Sequence, residues 1–187
     1  DVQLYKNLSP ESLREEIKES LERLQTEYID VYMTHWQSVE PFYTPIAKTM
    51  DVLNELKAEG KIRAIGVSNY HKHHLEDLYT TAKIKPMVDQ VEYHPRLTQE
   101  PLMKYLKDEN IQMQSYSPLM RGGVMEIPLL QELAKKYNKS ISQIILRWNI
   151  QNGVVVIPKS VTPSRIKENF EIFNFRKLQY QVVHFLK

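Results

Sequence analysis

The sequence contains no cysteine. Disulfides, thiolate zinc sites, iron–sulfur clusters and cysteine nucleophiles are thereby excluded. It has no run of about 18 apolar residues, the length a membrane-spanning helix needs, so no membrane partner is expected. The start shows neither a basic segment nor an apolar core of the secretory type, and a cytoplasmic location is the expectation. An excess of one charge is also missing: 25 Lys and Arg stand against 23 Asp and Glu, a net of +2. A surface for duplex nucleic acid wants clustered positive charge, so no nucleic-acid partner is expected either. Linkers, low-complexity stretches and internal repeats are absent. His71, His73 and His74 are close in sequence. Neighbouring helical positions diverge and no carboxylate spacing completes a metal site, so no metal is expected there.

What remains is an ordinary globular composition. Apolar residues make up 42% of the 187 and charged residues 26%, enough to bury a core. Helix and strand signals alternate along it. Ser9-Pro10-Glu11 is a helix start, with an N-cap, a proline in the first turn and an acid at the positive dipole end. Leu13, Ile17, Leu21 and Leu24 follow at helical spacing. Thr44-Pro45 repeats the signal, and Gly60 stops that helix. Further helices are read over 73–82, 100–107 and 128–137. Ser140-Ile-Ser-Gln143 is a capping box opening another, and Thr162-Pro163 opens the last.

Short β-rich runs begin near residues 29, 62, 88, 111 and 154, so successive strands start 33, 26, 23 and 43 residues apart. One βα unit takes roughly 30 residues. The first three intervals each hold one strand and one helix, and the last holds two helices. Regular alternation of this kind implies a parallel sheet with its helices outside. A closed eight-stranded barrel needs about 250 residues. Five strands leave two unpaired edges, so the sheet stays open or another chain closes it. A homo-oligomer paired through those edges and a different, complementing chain are the two partners this implies.

In βα architecture, function collects at the carboxyl ends of the strands. Those ends read Thr34-His35-Trp36, Gly66-Val67-Ser68-Asn69, Asp89-Gln90-Val91-Glu92-Tyr93-His94-Pro95, Ser115-Tyr116-Ser117-Pro118-Leu119 and Ile157-Pro158-Lys159-Ser160. Arg165, Glu168 and Asn169 follow the last. Each end carries hydrogen-bonding groups, and one carries an aromatic plane beside a hydroxyl. His94 reads as a residue shaping its loop.

These strand ends resemble those of the aldo-keto reductase superfamily, (β/α)8 barrels that reduce aldehydes and ketones with a nicotinamide cofactor. The pairing of Gly66-Val67-Ser68-Asn69 with Ile157-Pro158-Lys159-Ser160, Arg165, Glu168 and Asn169 carries the resemblance, which runs from about residue 8 to residue 174. It implies an α/β fold: a partial TIM (β/α)8-type barrel of about five parallel strands with outer helices over 1–175, followed by an unmatched tail over 176–187. It implies NADP(H) as the cofactor and a small carbonyl compound as the substrate.

Role by role, the resemblance assigns Ser68, Asn69 and Gln90 to the nicotinamide carboxamide, a task that suits groups offering both donors and acceptors. Tyr116 is assigned to the nicotinamide ring, and Ser117 and Leu119 to the pyrophosphate. Lys159, Ser160 and Arg165 are assigned to the adenosine 2′-phosphate, where two cations and a hydroxyl suit a dianion. Glu168 and Asn169 are assigned to adenine. His35 is implied to be catalytic, orienting the substrate carbonyl, and Trp36 to wall the substrate pocket. The family also uses an Asp, a Tyr acid and a Lys that lowers the Tyr pKa, on strands that the resemblance places ahead of residue 1. Tyr5 and Lys6 do not match that set. The implied protein is an NADP(H)-dependent carbonyl reductase that is truncated and weakly active or inactive alone. The alternative is a nucleotide-binding or assembly module without catalysis.

Overall fold

The computed structural model describes residues 2–3, 9–36 and 46–175. The Tyr5–Lys6 pair, the Thr44–Pro45 capping signal and the 176–187 tail lie outside the described residues. Two compact units are present, one of Asp1–Gln90 with Pro101–Gln112 and the other of Val91–Glu100 with Met113–Lys187.

The first unit is built from repeated strand–helix steps. Helix α1 (Pro10–Leu24) starts where the Ser9-Pro10 signal places it, with Ser9 Oγ accepting the Ser12 N–H at 3.2 Å. It buries Leu13 and Ile17 and ends on Gln25, a left-handed residue at φ 54°. Strand β2 (Ile29–Thr34) and strand β3 (Ile62–Ser68) run parallel, with Tyr32 opposite Ile65 and Met33 opposite Gly66. Between them helix α2 (Ile46–Ala58) buries Met50, Leu53 and Leu56. Burying each such side chain contributes about 1.5–3 kcal/mol. Arg14 also bridges α1 to Glu55 at 2.6 Å and Glu59 at 3.0 Å on α2. All three groups are exposed, so these pairs add under about 1 kcal/mol each.

Gly66 has a steric reason. A Cβ placed on it would stand 2.3 Å from Met33 Cγ on the neighbouring strand. Only a residue without a side chain lets Met33 lie across β3 there.

After β3 come helix α3 (Lys72–Tyr79), strand β4 (Val88–Glu92) and helix α4 (Glu100–Asp108). Strand β4 is parallel to β3, with Val67 opposite Asp89 and Ser68 opposite Gln90. One strand goes beyond the sequence reading: β1 (Val2–Gln3) pairs parallel with β2 through Met33 and Thr34. Two residues are too few to show alternation, so nothing in the sequence marks it.

In the second unit, β5 (Gln112–Tyr116) pairs parallel with β6 (Val155–Val156). A 3₁₀ segment (Met120–Glu126), with Arg121 and Gly122 at positive φ, leads into helix α5 (Pro128–Tyr137). This segment has no helical period, so nothing in the sequence marks it. Helix α6 (Ile141–Gln151) carries the expected capping box: Ser140 Oγ accepts the Gln143 N–H, and Gln143 Oε1 accepts the Ser140 N–H. The core of this unit holds Trp148 stacked on Tyr93, ring centroids 4.9 Å apart and 14° from parallel. Helix α7 (Pro163–Phe170) begins after Thr162, as expected, and buries no residue. Among the described residues no helix is long and apolar enough to cross a membrane.

Candidate functional site

The carboxyl end of β3 is organised by hydrogen bonds to β4. Ser68 Oγ donates to the Gln90 carbonyl at 2.8 Å, and the Asn69 N–H donates to the same oxygen at 2.9 Å. Asn69 Nδ2 donates to the His35 carbonyl at 2.8 Å and to Ser68 Oγ at 3.2 Å. The first unit thus brings together His35, Ser68, Asn69 and Gln90 from three successive strand ends. Asn69 is left-handed, at φ 64°. A non-glycine residue there costs of order 1 kcal/mol and persists only where its surroundings hold it.

Gln90 is buried, yet among the described residues its Nε2 has no hydrogen-bond partner, and neither has His35 Nδ1. A buried amide left unpaired costs about 1–3 kcal/mol, which a ligand acceptor at that position would recover. Trp36 follows His35 with the ring centroids 6.1 Å apart and stands half-exposed.

Asp89 sits beside Gln90 and was missed as a functional candidate. It is fully buried, with Oδ1 receiving the Tyr70 N–H at 3.4 Å and, among the described residues, no hydrogen-bond partner for Oδ2. Burial pushes its carboxyl up to about 8, with the Tyr70 N–H acting in the opposite direction. The available signal is an ionisable residue in mid-strand between Val88 and Val91, on the face opposite Gln90.

The second unit carries the other assigned residues. Tyr116 ends β5, half-buried. Burial, with Glu92 nearby, raises its phenol above the usual tyrosine range. Its carbonyl accepts the Tyr93 N–H at 3.4 Å, and Ser115 Oγ donates to the Tyr93 carbonyl at 2.8 Å. Ser117 is left-handed at φ 50° and opens a turn in which its carbonyl accepts the Met120 N–H. Leu119 accepts from Gly122 N–H in the next turn.

Lys159, Ser160 and Arg165 lie on the segment joining β6 to α7 and on the first turns of α7. Ser160 Oγ accepts the Thr162 N–H at 3.1 Å. Lys159 and Arg165 are exposed, and among the described residues neither forms an ion pair. Two unpaired cations beside a helix start suit an anionic ligand. Glu168 is engaged within the protein: its carboxylate accepts from Ser140 Oγ, and its carbonyl accepts from Gln143 Nε2. Asn169 borders an apolar cavity of about 320 Å³ walled by Ile150, Val156, Ile166 and Phe173.

A roomier cavity of about 630 Å³ lies elsewhere, between α1, α2 and the segments entering β2 and β3. It is at the amino ends of those strands and contains none of the assigned residues. His71 and His74 act locally: the His71 N–H donates to His74 Nδ1 at 3.1 Å and caps α3. Among the described residues no group of three or more His, Asp or Glu is arranged for a metal. His94 forms a reciprocal backbone pair with Leu97 and shapes its loop.

The Aldo/keto reductase family model matches residues 2–186. The glyoxal reductase of Bacillus subtilis is 50% identical over 162 residues, which take in 87% of this chain and 57% of that protein. The chain therefore spans little more than half the length of that relative. The crystal structure of an aldo/keto reductase from Brucella melitensis superposes with a TM-score of 0.89 at 37% identity, over 99% of this chain and 70% of that one. The aldo-keto reductase of Bombyx mori, solved in complex with NADP, gives 0.88 at 30% identity, over 99% and 65%. The α/β fold is that of part of a TIM (β/α)8-type barrel.

Proposed function

The chain belongs to the aldo-keto reductase family, and on that premise we propose that it binds NADP(H) and serves hydride transfer between the nicotinamide and small aldehyde or ketone carbonyls. Dicarbonyls are the favoured substrate class, in line with the name of the glyoxal reductase relative. The observation that carries the reading is the buried, unpaired Gln90 Nε2 beside the Ser68–Asn69 turn. That amide has protons to donate and no acceptor among the described residues to receive them, which suits a carboxamide oxygen.

When bound, NADP(H) supplies or accepts hydride at its nicotinamide ring. The chain's own residues do the holding. Ser68 and Asn69 keep the end of β3 against Gln90, which aims its amide. Tyr116 offers a half-buried aromatic face at the end of β5. Lys159 and Arg165 offer the charge that distinguishes a 2′-phosphate from a free 2′-hydroxyl, and Ser160 a hydroxyl beside them. Glu168 and Asn169 stand about one turn beyond Arg165 along α7. His35 presents an imidazole to the substrate carbonyl, and Trp36 a wall beside it. Within these 187 residues no Tyr–Lys pair matches the family's proton-donating set. A positioned acid contributes about 10²–10⁴-fold, so binding exceeds turnover in the chain as it stands.

The test is nucleotide binding by quenching of Trp36 and tyrosine fluorescence, with NADPH oxidation by glyoxal or methylglyoxal measured alongside. NADPH is expected to bind about tenfold or more tightly than NADH, with turnover weak. Lys159→Ala with Arg165→Ala is expected to reduce NADPH to the NADH level. Quenching by neither nucleotide, or equal affinities untouched by the double substitution, overturns the cofactor reading.

A further inference from the structure

Asn69 is held from one side by bonds already described: its N–H on the Gln90 carbonyl and its Nδ2 on the His35 carbonyl. The residue that follows is held from the other side. Tyr70 is buried, its ring packed edge-on to His74 with centroids 5.8 Å apart, and its N–H points at Asp89 Oδ1. Asp89 and Gln90 are neighbours on β4 and face opposite ways. The two residues therefore grip one turn, Ser68–Asn69–Tyr70, between them. An aspartate with no solvent contact and one oxygen unpaired is a costly thing to bury. A serviceable core position would take Val or Leu.

We propose that Asp89 is a positioning residue for the carboxamide-binding end of β3: it holds the Tyr70 N–H and so fixes Asn69 in its left-handed turn. This rests on the reading that Ser68, Asn69 and Gln90 receive a nicotinamide carboxamide. The Asp89 side chain lies on the face opposite Gln90. It acts through the turn: a left-handed residue persists where its surroundings hold it, and Asp89 ties the peptide group that follows Asn69. At 3.4 Å the bond is long, and an acceptor that gains charge draws its donor in. The ionisable groups facing Asp89 are the phenols of Tyr70 and Tyr79, both neutral at pH 7 and both raised mainly by burial.

The experiment compares two ligands on three chains: the parent, Asp89→Ala and Asp89→Asn. NADPH reports the whole dinucleotide, whereas 2′-phospho-ADP-ribose lacks the nicotinamide and reports the phosphate end alone. Asp89→Ala is expected to weaken NADPH about tenfold and leave 2′-phospho-ADP-ribose within twofold. Asp89→Asn keeps an acceptor oxygen for Tyr70 and is expected to stay within threefold for both. Equal losses for both ligands, or no loss for either, overturn the proposal. A second measurement needs no substitution: the Tyr70 amide proton resonance of the parent should move with pH, its midpoint near 8. A Tyr70 amide that ignores pH between 6 and 9 overturns the contact. Failure of the parent to bind either ligand defeats the cofactor reading instead, and the Tyr70 titration still judges Asp89.

Discussion

Replacing Asp89 with asparagine should make the folded chain less sensitive to alkali. The carboxyl has an ordinary value of 3.8 and is pushed to about 8 by burial in the folded state. Below pH about 4 the folded and unfolded chains both keep the proton, and Asp89 leaves stability unchanged. Between about 4 and 8 the unfolded chain releases it while the folded chain retains it, so stability falls as pH rises. Above about 8 both are ionised and the penalty is constant at its maximum. Each pH unit in the window is worth about 1.4 kcal/mol, so the parent should lose up to about 3 kcal/mol between pH 5 and pH 7 through this group alone. Asparagine has the shape of the protonated acid and does not titrate. Subtracting its stability from the parent's at each pH therefore cancels every other group. Urea unfolding followed by circular dichroism at pH 5, 6, 7, 8 and 9 gives both curves. The gap should open steadily up to pH 8 and then level. A gap that stays constant across the series refutes the burial argument, because Asp89 would then titrate alike in both states.

The strand contact at Gly66 supplies a second test. Gly66→Ala should destabilise the chain by about 1–3 kcal/mol through the clash with Met33. Combining it with Met33→Ala should recover part of that loss, and strict additivity in the double-mutant cycle would show that the two positions do not touch. The α6 cap supplies a third. Ser140→Ala removes the acceptor for the Gln143 N–H and the donor to Glu168. It should cost about 1–2 kcal/mol, which lowers Tm by about 2–8 °C at this chain length. An unshifted melting curve would remove the cap from the stability of the second unit.

The helix starts and the order of the strands were legible in the residues because they are set by local chemistry. Ser140 and Gln143 satisfy each other's backbone within four residues, and Ser9-Pro10 ends an extended segment without reference to anything distant. The strands betray themselves by apolar runs between helices of regular length. The residues at the strand ends were legible for the same reason, since a strand's end locates its last side chains. Strand β1 and the 3₁₀ segment were not, because two residues and an irregular turn carry no period.

What the residues alone determined is therefore the succession of elements and the identity of the groups at their carboxyl ends. Tertiary structure decided which of those groups meet. Ser68, Asn69 and His35 are tied to each other and to Gln90 only because β2, β3 and β4 lie side by side. Gly66 is needed only because Met33 lies opposite it, and Asp89 is pushed to about 8 only because folding strips its water. Local bonds are written in neighbouring residues, whereas desolvation and cross-strand contact depend on residues twenty or more positions apart.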